Sequence, residues 1–187
     1  GPALLQETFN SDIRHVENAY NEFDRDRLLY HMQSTRGPAF TIADINSDGL
    51  DDFYLGGSIG HPGSIYLQTN EERFIEHQSN LFNSDSLADD VDAVFFDFDN
   101  DKDLDLYVVS GGTEHTSLGI PLLDRLYENT GMKNGKPLFT LTKDKLPALY
   151  QSGSCVRPAD VDNDGDLDLF IGNQVLPSYY GLPCDQT

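Results

Sequence analysis

The chain has 187 residues, enough for a domain with a sizeable core, and its 12 Lys and Arg against 32 Asp and Glu give a formal net charge of −20. The basic residues are scattered, so no patch exists to displace phosphate counterions, which argues against nucleic acid as a partner. No run of 18 apolar residues occurs, so the chain is not expected to span a membrane as a helix.

Residues 1–36 are polar and mixed, and Thr8–Val16 is the one stretch there that reads as a strand. Gly1-Pro-Ala-Leu-Leu lacks the basic and apolar regions of a signal peptide. Any targeting segment is therefore expected to have been removed or to lie outside this sequence. From Gly37 the pattern sharpens. Pro38–Ala43 is a short apolar strand entering Asp44-Ile-Asn46-Ser-Asp48-Gly49-Leu50-Asp51-Asp52, and Asp52–Gly56 is the strand leaving that stretch. Gly63–Gln68 and Arg73–Glu76 follow, separated by a turn at Thr69-Asn70.

The order then repeats. Val91–Phe96 enters Asp97-Phe-Asp99-Asn-Asp101-Lys102-Asp103-Leu-Asp105, Leu104–Ser110 leaves it, and Arg125–Glu128 and Leu138–Leu141 complete the unit across a turn containing Asn129-Thr-Gly131 and Asn134-Gly135. A third unit supplies Ser154–Pro158, the stretch Asp160-Val-Asp162-Asn-Asp164-Gly165-Asp166-Leu-Asp168, and Leu167–Ile171; the sequence stops soon after Tyr179-Tyr180. The acidic stretches begin 53 and then 63 residues apart. Four-stranded units of this length are the signature of propeller blades.

The expected fold class is thus all-β, with β-propeller blades of four antiparallel strands and Asp-rich calcium loops, in an incomplete propeller. Residues 1–36 are read as an N-terminal segment and a remnant of a preceding blade, 37–80 as blade 1, 88–145 as blade 2 and 150–187 as an incomplete blade 3. The absence of Trp excludes WD40 repeats and argues against the Trp-bearing Asp-boxes of sialidase-type propellers. An arc of this kind leaves the apolar faces of its end blades in water, so further repeats or self-association are expected to cover them.

Carboxylates at every second position of a tight turn repel one another unless a cation sits among them. Oxygen-only donors, with no Cys or His inside the loops, select a hard ion, Ca²⁺. Side-chain oxygens at positions 1, 3, 5 and 9 and the carbonyl at position 7 would surround it. An EF-hand is ruled out, because its bidentate Glu at position 12 is replaced by Leu55, Val108 and Ile171, each inside a strand-like run. Fourteen of the 32 acidic residues fall in the three loops, and three Ca²⁺ would bring the net charge to about −14. Such loops suit millimolar calcium outside the cell. The chain is therefore expected to be exported, to the cell surface, the periplasm or the extracellular space. Cys155 is read as a buried free thiol, with a disulfide to Cys184 as the alternative.

Strand, D-x-[DN]-x-D-G-x-x-D loop, strand and Gly-Gly together resemble the FG-GAP/VCBS repeat family, the Ca²⁺-binding propeller repeat of integrin α-subunits and many exported bacterial proteins. Asp90–Asp97 through Ser110-Gly-Gly112, Asp124-Arg-Leu-Tyr127 and Ser152-Gly-Ser-Cys-Val156 are most similar to bacterial VCBS repeat proteins. The resemblance covers about Gly37 to Asn173. It implies metal ligands at Asp44, Asn46, Asp48 and Asp52; at Asp97, Asp99, Asp101 and Asp105; and at Asp160, Asp162, Asp164 and Asp168, with carbonyls from Leu50, Asp103 and Asp166. One departure stands out: Lys102 replaces the loop glycine present at Gly49 and Gly165.

Family members are mostly adhesion or ligand-binding modules, so the resemblance implies a non-catalytic, calcium-stabilised module that binds an extracellular protein or glycan. Two alternatives stay open: a propeller enzyme acting on glycans as lyase or hydrolase, and a structural spacer within a larger surface protein. In a four-stranded blade the 2–3 and 4–1 connections lie at the end opposite the metal loops. Ligand binding is expected there, at His61, Glu114 and His115, because the variable connections Ser58–Pro62, Gly111–Pro121 and Gln78–Asp89 belong to that end.

Overall fold

The structure is a computed structural model that describes residues 12–27, 29–115 and 119–175. Its ten strands are β1 Phe40–Ala43, β2 Asp52–Leu55, β3 Ser64–Thr69, β4 Arg73–His77, β5 Asp90–Phe96, β6 Asp105–Ser110, β7 Arg125–Lys133, β8 Lys136–Leu141, β9 Ser152–Ala159 and β10 Asp168–Val175. They form two four-stranded antiparallel sheets, ordered β1-β2-β3-β4 and β5-β6-β7-β8, and a two-stranded sheet of β9 and β10. Each acidic loop closes in the same register: Ala43 pairs with Asp52, Phe96 with Asp105 and Ala159 with Asp168. The described sheets do not close into a ring.

Alternation along the strands builds two cores. Tyr54, Ile65 and Leu67 of the first sheet meet Ala93, Phe95, Leu106, Val108, Tyr127 and Phe139 of the second, and Phe82 plugs the seam, with its ring centroid 5.3 Å from that of Tyr54 and 4.7 Å from that of Tyr127. Phe96, Tyr107, Val109 and Leu126 turn the other way and pack on Val156, Leu169 and Ile171 of the third sheet. Strand β6 is buried along its whole length, which is why its sequence is a continuous apolar run rather than an alternating one.

The outer faces lack such cover. In the first sheet Phe53 stacks among Phe40, Tyr66 and Phe74, while Phe40 and Ile42 are 51% and 55% exposed. In the third, Phe170 is 68% exposed, and β10 has no strand on its far side among the described residues.

No strand forms over residues 12–27 and 29–36, which departs from the expected strand at Thr8–Val16; residues 8–11 lie outside the described part. The segment is instead an irregular strap across the ends of β2 and β6. His15 Nδ1 donates to the Gly56 carbonyl at 3.0 Å, Ser58 Oγ to the Val16 carbonyl at 2.7 Å, and Arg25 Nη1 to the Thr113 carbonyl at 2.7 Å. Glu22 is fully buried and accepts from the Gln33 and Ser34 amides and from the Thr113 hydroxyl. Arg36 reaches Gln174 of β10. A polar, aperiodic sequence suits this role, because its backbone bonds are made to neighbouring chain rather than along a ladder. Cys155 is a free thiol, half-buried rather than buried, and Cys184 and Tyr179-Tyr180 lie outside the described residues.

Candidate metal centres and the opposite end

The three acidic loops share one hydrogen-bond set. The first-position carboxylate accepts from the sixth-position amide: Asp44 from Gly49 at 2.8 Å, Asp97 from Lys102 at 3.0 Å and Asp160 from Gly165 at 3.2 Å. The fifth accepts from the seventh: Asp48 from Leu50 at 2.9 Å, Asp101 from Asp103 at 3.0 Å and Asp164 from Asp166 at 3.1 Å. The ninth accepts from the second: Asp52 from Ile45 at 3.3 Å, Asp105 from Phe98 at 2.8 Å and Asp168 from Val161 at 3.0 Å.

Backbone angles recur with the same fidelity. The fourth positions, Ser47, Asn100 and Asn163, have φ of 58°, 63° and 61°, and the sixth, Gly49, Lys102 and Gly165, have φ of 87°, 78° and 97°. Lys102 therefore follows the left-handed path of its glycine counterparts, as the frame requires.

These turns gather negative charge. Carboxylate oxygens of Asp97, Asp99 and Asp101 lie within 4.8 Å of one another, as do those of Asp160, Asp162 and Asp168. In the first loop Asn46 stands at position 3; its Oδ1 accepts from the Asp48 amide at 2.9 Å and its Nδ2 donates to Asp48 Oδ2 at 3.0 Å. Burial, outweighing their backbone hydrogen bonds, pushes Asp52 and Asp105 each up to about 6. Burial, with Asp101 and Asp105 beside it, pushes Asp103 up to about 7, and its Oδ1 is buried without a hydrogen-bond partner. Acids that hold protons this firmly, next to an orphaned oxygen, mark places short of positive charge, and an all-oxygen donor set fits a hard cation.

Asp52 and Asp105 also reach across their own sheets, accepting from the Gln68 and Asn129 amides, each at 2.8 Å. The loop is thus tied to the third strand of its sheet, a link that spacing in the sequence does not reveal.

At the opposite end the three residues expected on a binding face are dispersed. His61 is exposed and lines a cavity of about 200 Å³ with Arg14, His15 and Tyr66. Glu114 is gripped by the strap, accepting twice from Asn18 Nδ2 at 3.0 and 2.8 Å. His115 Nε2 donates to the Leu87 carbonyl at 2.8 Å. A larger cleft of about 580 Å³ opens there between the connections that hold Asp85, Leu87, Ile120, Asp124 and Leu146. Two of its three lining carboxylates are fixed: Tyr127 donates to Asp85 at 2.6 Å, and Tyr107 and the Ser110 amide donate to Asp124 at 2.8 and 2.9 Å. Burial raises Asp124 above the usual carboxylate range despite those donors and Arg125. No periodic signal announces this cleft; its lining comes from three connections far apart in the chain.

A family model described as an FG-GAP-like repeat matches residues 44–108 and again 97–171. Each match runs from one acidic loop through the core strands of the next unit. No curated protein matches the chain.

Proposed function

Because the chain belongs to the FG-GAP-like repeat family, we propose that it is a calcium-stabilised β-propeller module of an exported protein, non-catalytic, that binds an extracellular protein or glycan. Its blades on this reading are residues 37–80, 88–145 and, in part, 150–187. The observation that carries the metal half is the recurrence of one hydrogen-bond set and one pair of left-handed positions in all three loops. Asp44, Asn46, Asp48 and Asp52 with the Leu50 carbonyl would hold one Ca²⁺. Asp97, Asp99, Asp101 and Asp105 with that of Asp103 would hold a second, and Asp160, Asp162, Asp164 and Asp168 with that of Asp166 a third. The ion's role is structural: it offsets the repulsion that would splay each turn and so fixes one strand to the next.

What supports the binding half is the cleft at the other end, whose volume lies in the range of ligand sites and whose apolar walls surround two immobilised carboxylates. His115 fixes the Leu87 carbonyl at its edge. Melting in Ca²⁺ and in EDTA tests the metal half: a higher melting temperature with Ca²⁺ is expected, and an identical one would sink it. A glycan array probed with and without EDTA tests the other half. Retention without cleavage is expected, whereas release of cut sugars would show an enzyme.

A further inference from the structure

The cavity of about 200 Å³ at the end of the first sheet away from its acidic loop has a makeup at odds with the rest of the chain. Arg14 and His15 enter it from the strap, His61 from the connection between β2 and β3, and Ser64 and Tyr66 from β3. The sequence holds 32 Asp and Glu against only 12 Lys and Arg and 5 His. Yet an arginine and two histidines meet in this one cavity, and no acid lines it.

The acids next to the cavity are already engaged. Glu17 is held by the His15 ring at 3.0 Å, and Glu76 of β4 accepts from Ser64 Oγ at 2.8 Å. The two exposed cavity residues are not: the Arg14 guanidinium and the His61 ring make no ion pair or hydrogen bond with the described residues. The backbone that carries His61 is nevertheless pinned. Ser58 and His61 exchange amide-to-carbonyl bonds at 2.9 and 2.8 Å, and the connection folds back so tightly that a Cβ on Gly57 would meet the His61 carbonyl at 2.2 Å. A fixed backbone that presents a free imidazole to the same cavity as a free guanidinium is built for binding, since neither side chain contributes to the core.

We propose that this cavity binds an oxyanion, a sulfate or phosphate group, with Arg14 and His61 as its donors and His15 and Tyr66 in the wall that seats it. A guanidinium presents paired N–H groups that match such oxygens. The imidazole adds a donor from a different element of the chain, which suits an anion with oxygens in several directions better than a planar carboxylate that one arginine satisfies. Val16, Leu55 and Pro62 line the remainder, and apolar walls strengthen both contacts. The strongly negative chain repels anions at long range, so affinity rests on these short contacts. The site shares no residue with the three acidic loops or the larger cleft, and it stands whether or not those are filled.

Calorimetric titration with sodium sulfate, and in parallel with a monosaccharide sulfate ester and its unsulfated sugar, tests the proposal on the chain and on Arg14→Gln, His61→Gln and Lys133→Gln. Sulfate is expected to bind once per chain. Arg14→Gln and His61→Gln should each weaken it about tenfold or more, the worth of one charge-assisted hydrogen bond. Lys133→Gln, which removes an exposed cation on β7, should leave it unchanged. Either order of affinity between the ester and the free ion supports the site and tells which source it takes. No binding of sulfate or of the ester overturns the proposal, as does an unsulfated sugar that binds as well as its ester. Equal affinity in all four proteins overturns it too, and so does a loss in Lys133→Gln that matches the other two, which would show attraction by general charge alone. Should one of the two cavity variants not fold, the other decides, because both side chains are exposed and independent.

Discussion

Arg125 of β7 forms a buried ion pair with Asp90 at the head of β5, and the same carboxylate accepts the Tyr54 hydroxyl at 2.6 Å and the Gly57 amide at 2.7 Å. One side chain thus joins the first sheet to two strands of the second. Burial works against the guanidinium charge, but Asp90, Tyr127 and Tyr54 outweigh it and hold Arg125 charged. Arg125→Leu is expected to cost about 3–5 kcal/mol, because Asp90 would then be a buried charge without its counterion. Asp90→Asn combined with Arg125→Leu should recover part of that loss, since the pair is removed together. Urea unfolding of the two variants beside the unsubstituted chain reads both effects.

The left-handed backbone at Lys102 is the strained member of a set whose other members are glycines. Lys102→Gly should stabilise the second loop by about 1 kcal/mol, measured by urea unfolding in chelator, and should tighten Ca²⁺ there. Gly49→Ala and Gly165→Ala, each forcing a side chain onto the same path, should destabilise by a similar amount. An unchanged second loop after Lys102→Gly would show that the lysine bears no strain.

Asp105 and Asp168 occupy the same place in their loops but carry different loads. Asp105 holds both the Phe98 amide and, across the sheet, the Asn129 amide, whereas Asp168 holds the Val161 amide alone among the described residues. With calcium chelated, Asp105→Ala should therefore cost about 1–3 kcal/mol more than Asp168→Ala, the penalty for leaving a buried amide unpaired. Equal losses in denaturant unfolding would contradict the cross-sheet role.

Asp89 sets a pH dependence with a definite sign. Its folded pKa of about 8 lies above the ordinary carboxylate value, so in chelator the folded state binds more protons than the unfolded one. Stability is then highest at or below the usual carboxylate range, falls as the pH climbs toward about 8, and levels off beyond. Melting curves in EDTA should show this decline, and Asp89→Asn should reduce its slope most near pH 8, above the range where the raised loop acids titrate, Asp52 and Asp105 at about 6 and Asp103 at about 7.

The eleventh residue of each repeat faces the next sheet: Tyr54 and Tyr107 are buried there, while Phe170, their counterpart, is open. The tenth faces backward, and Phe53 stands in an uncovered aromatic group where Leu106 is packed. The two exposed ends are thus the two halves of the interface that joins the sheets internally. The chain is expected to self-associate with rising concentration in light scattering, and Phe170→Asp to weaken that association. A compact monomer at high concentration would show that these faces are covered within the chain.

The ten strands lie close to where strand-like runs, turn residues and acidic loops place them in the sequence, but β7 runs on to Lys133 through Asn129-Thr-Gly131, read there as part of a turn, and β10 runs on to Val175. Position 6 of the second loop is likewise legible, by comparison with Gly49 and Gly165. The Asp90–Arg125–Tyr54 network is not: its members are separated by 35 and 36 residues and meet only when two sheets pack. Nor does the sequence distinguish Asp89 from Asp90, adjacent acids of which Asp90 holds Arg125 while Asp89 faces other carboxylates. The strap escapes for a further reason, since an irregular segment that bonds to loop carbonyls has no period to detect.

Stacked repeats that touch only their neighbours can come apart one at a time, each sheet melting with its own midpoint. The strap works against that independence. Its bonds to Gly56 and Ser58 hold the first sheet, those to Thr113 and Glu114 hold the second, and Arg36 touches the third, all through one continuous stretch of backbone. Freeing any one sheet strains contacts to the others, so the N-terminal residues make an array of repeats unfold as a single cooperative unit.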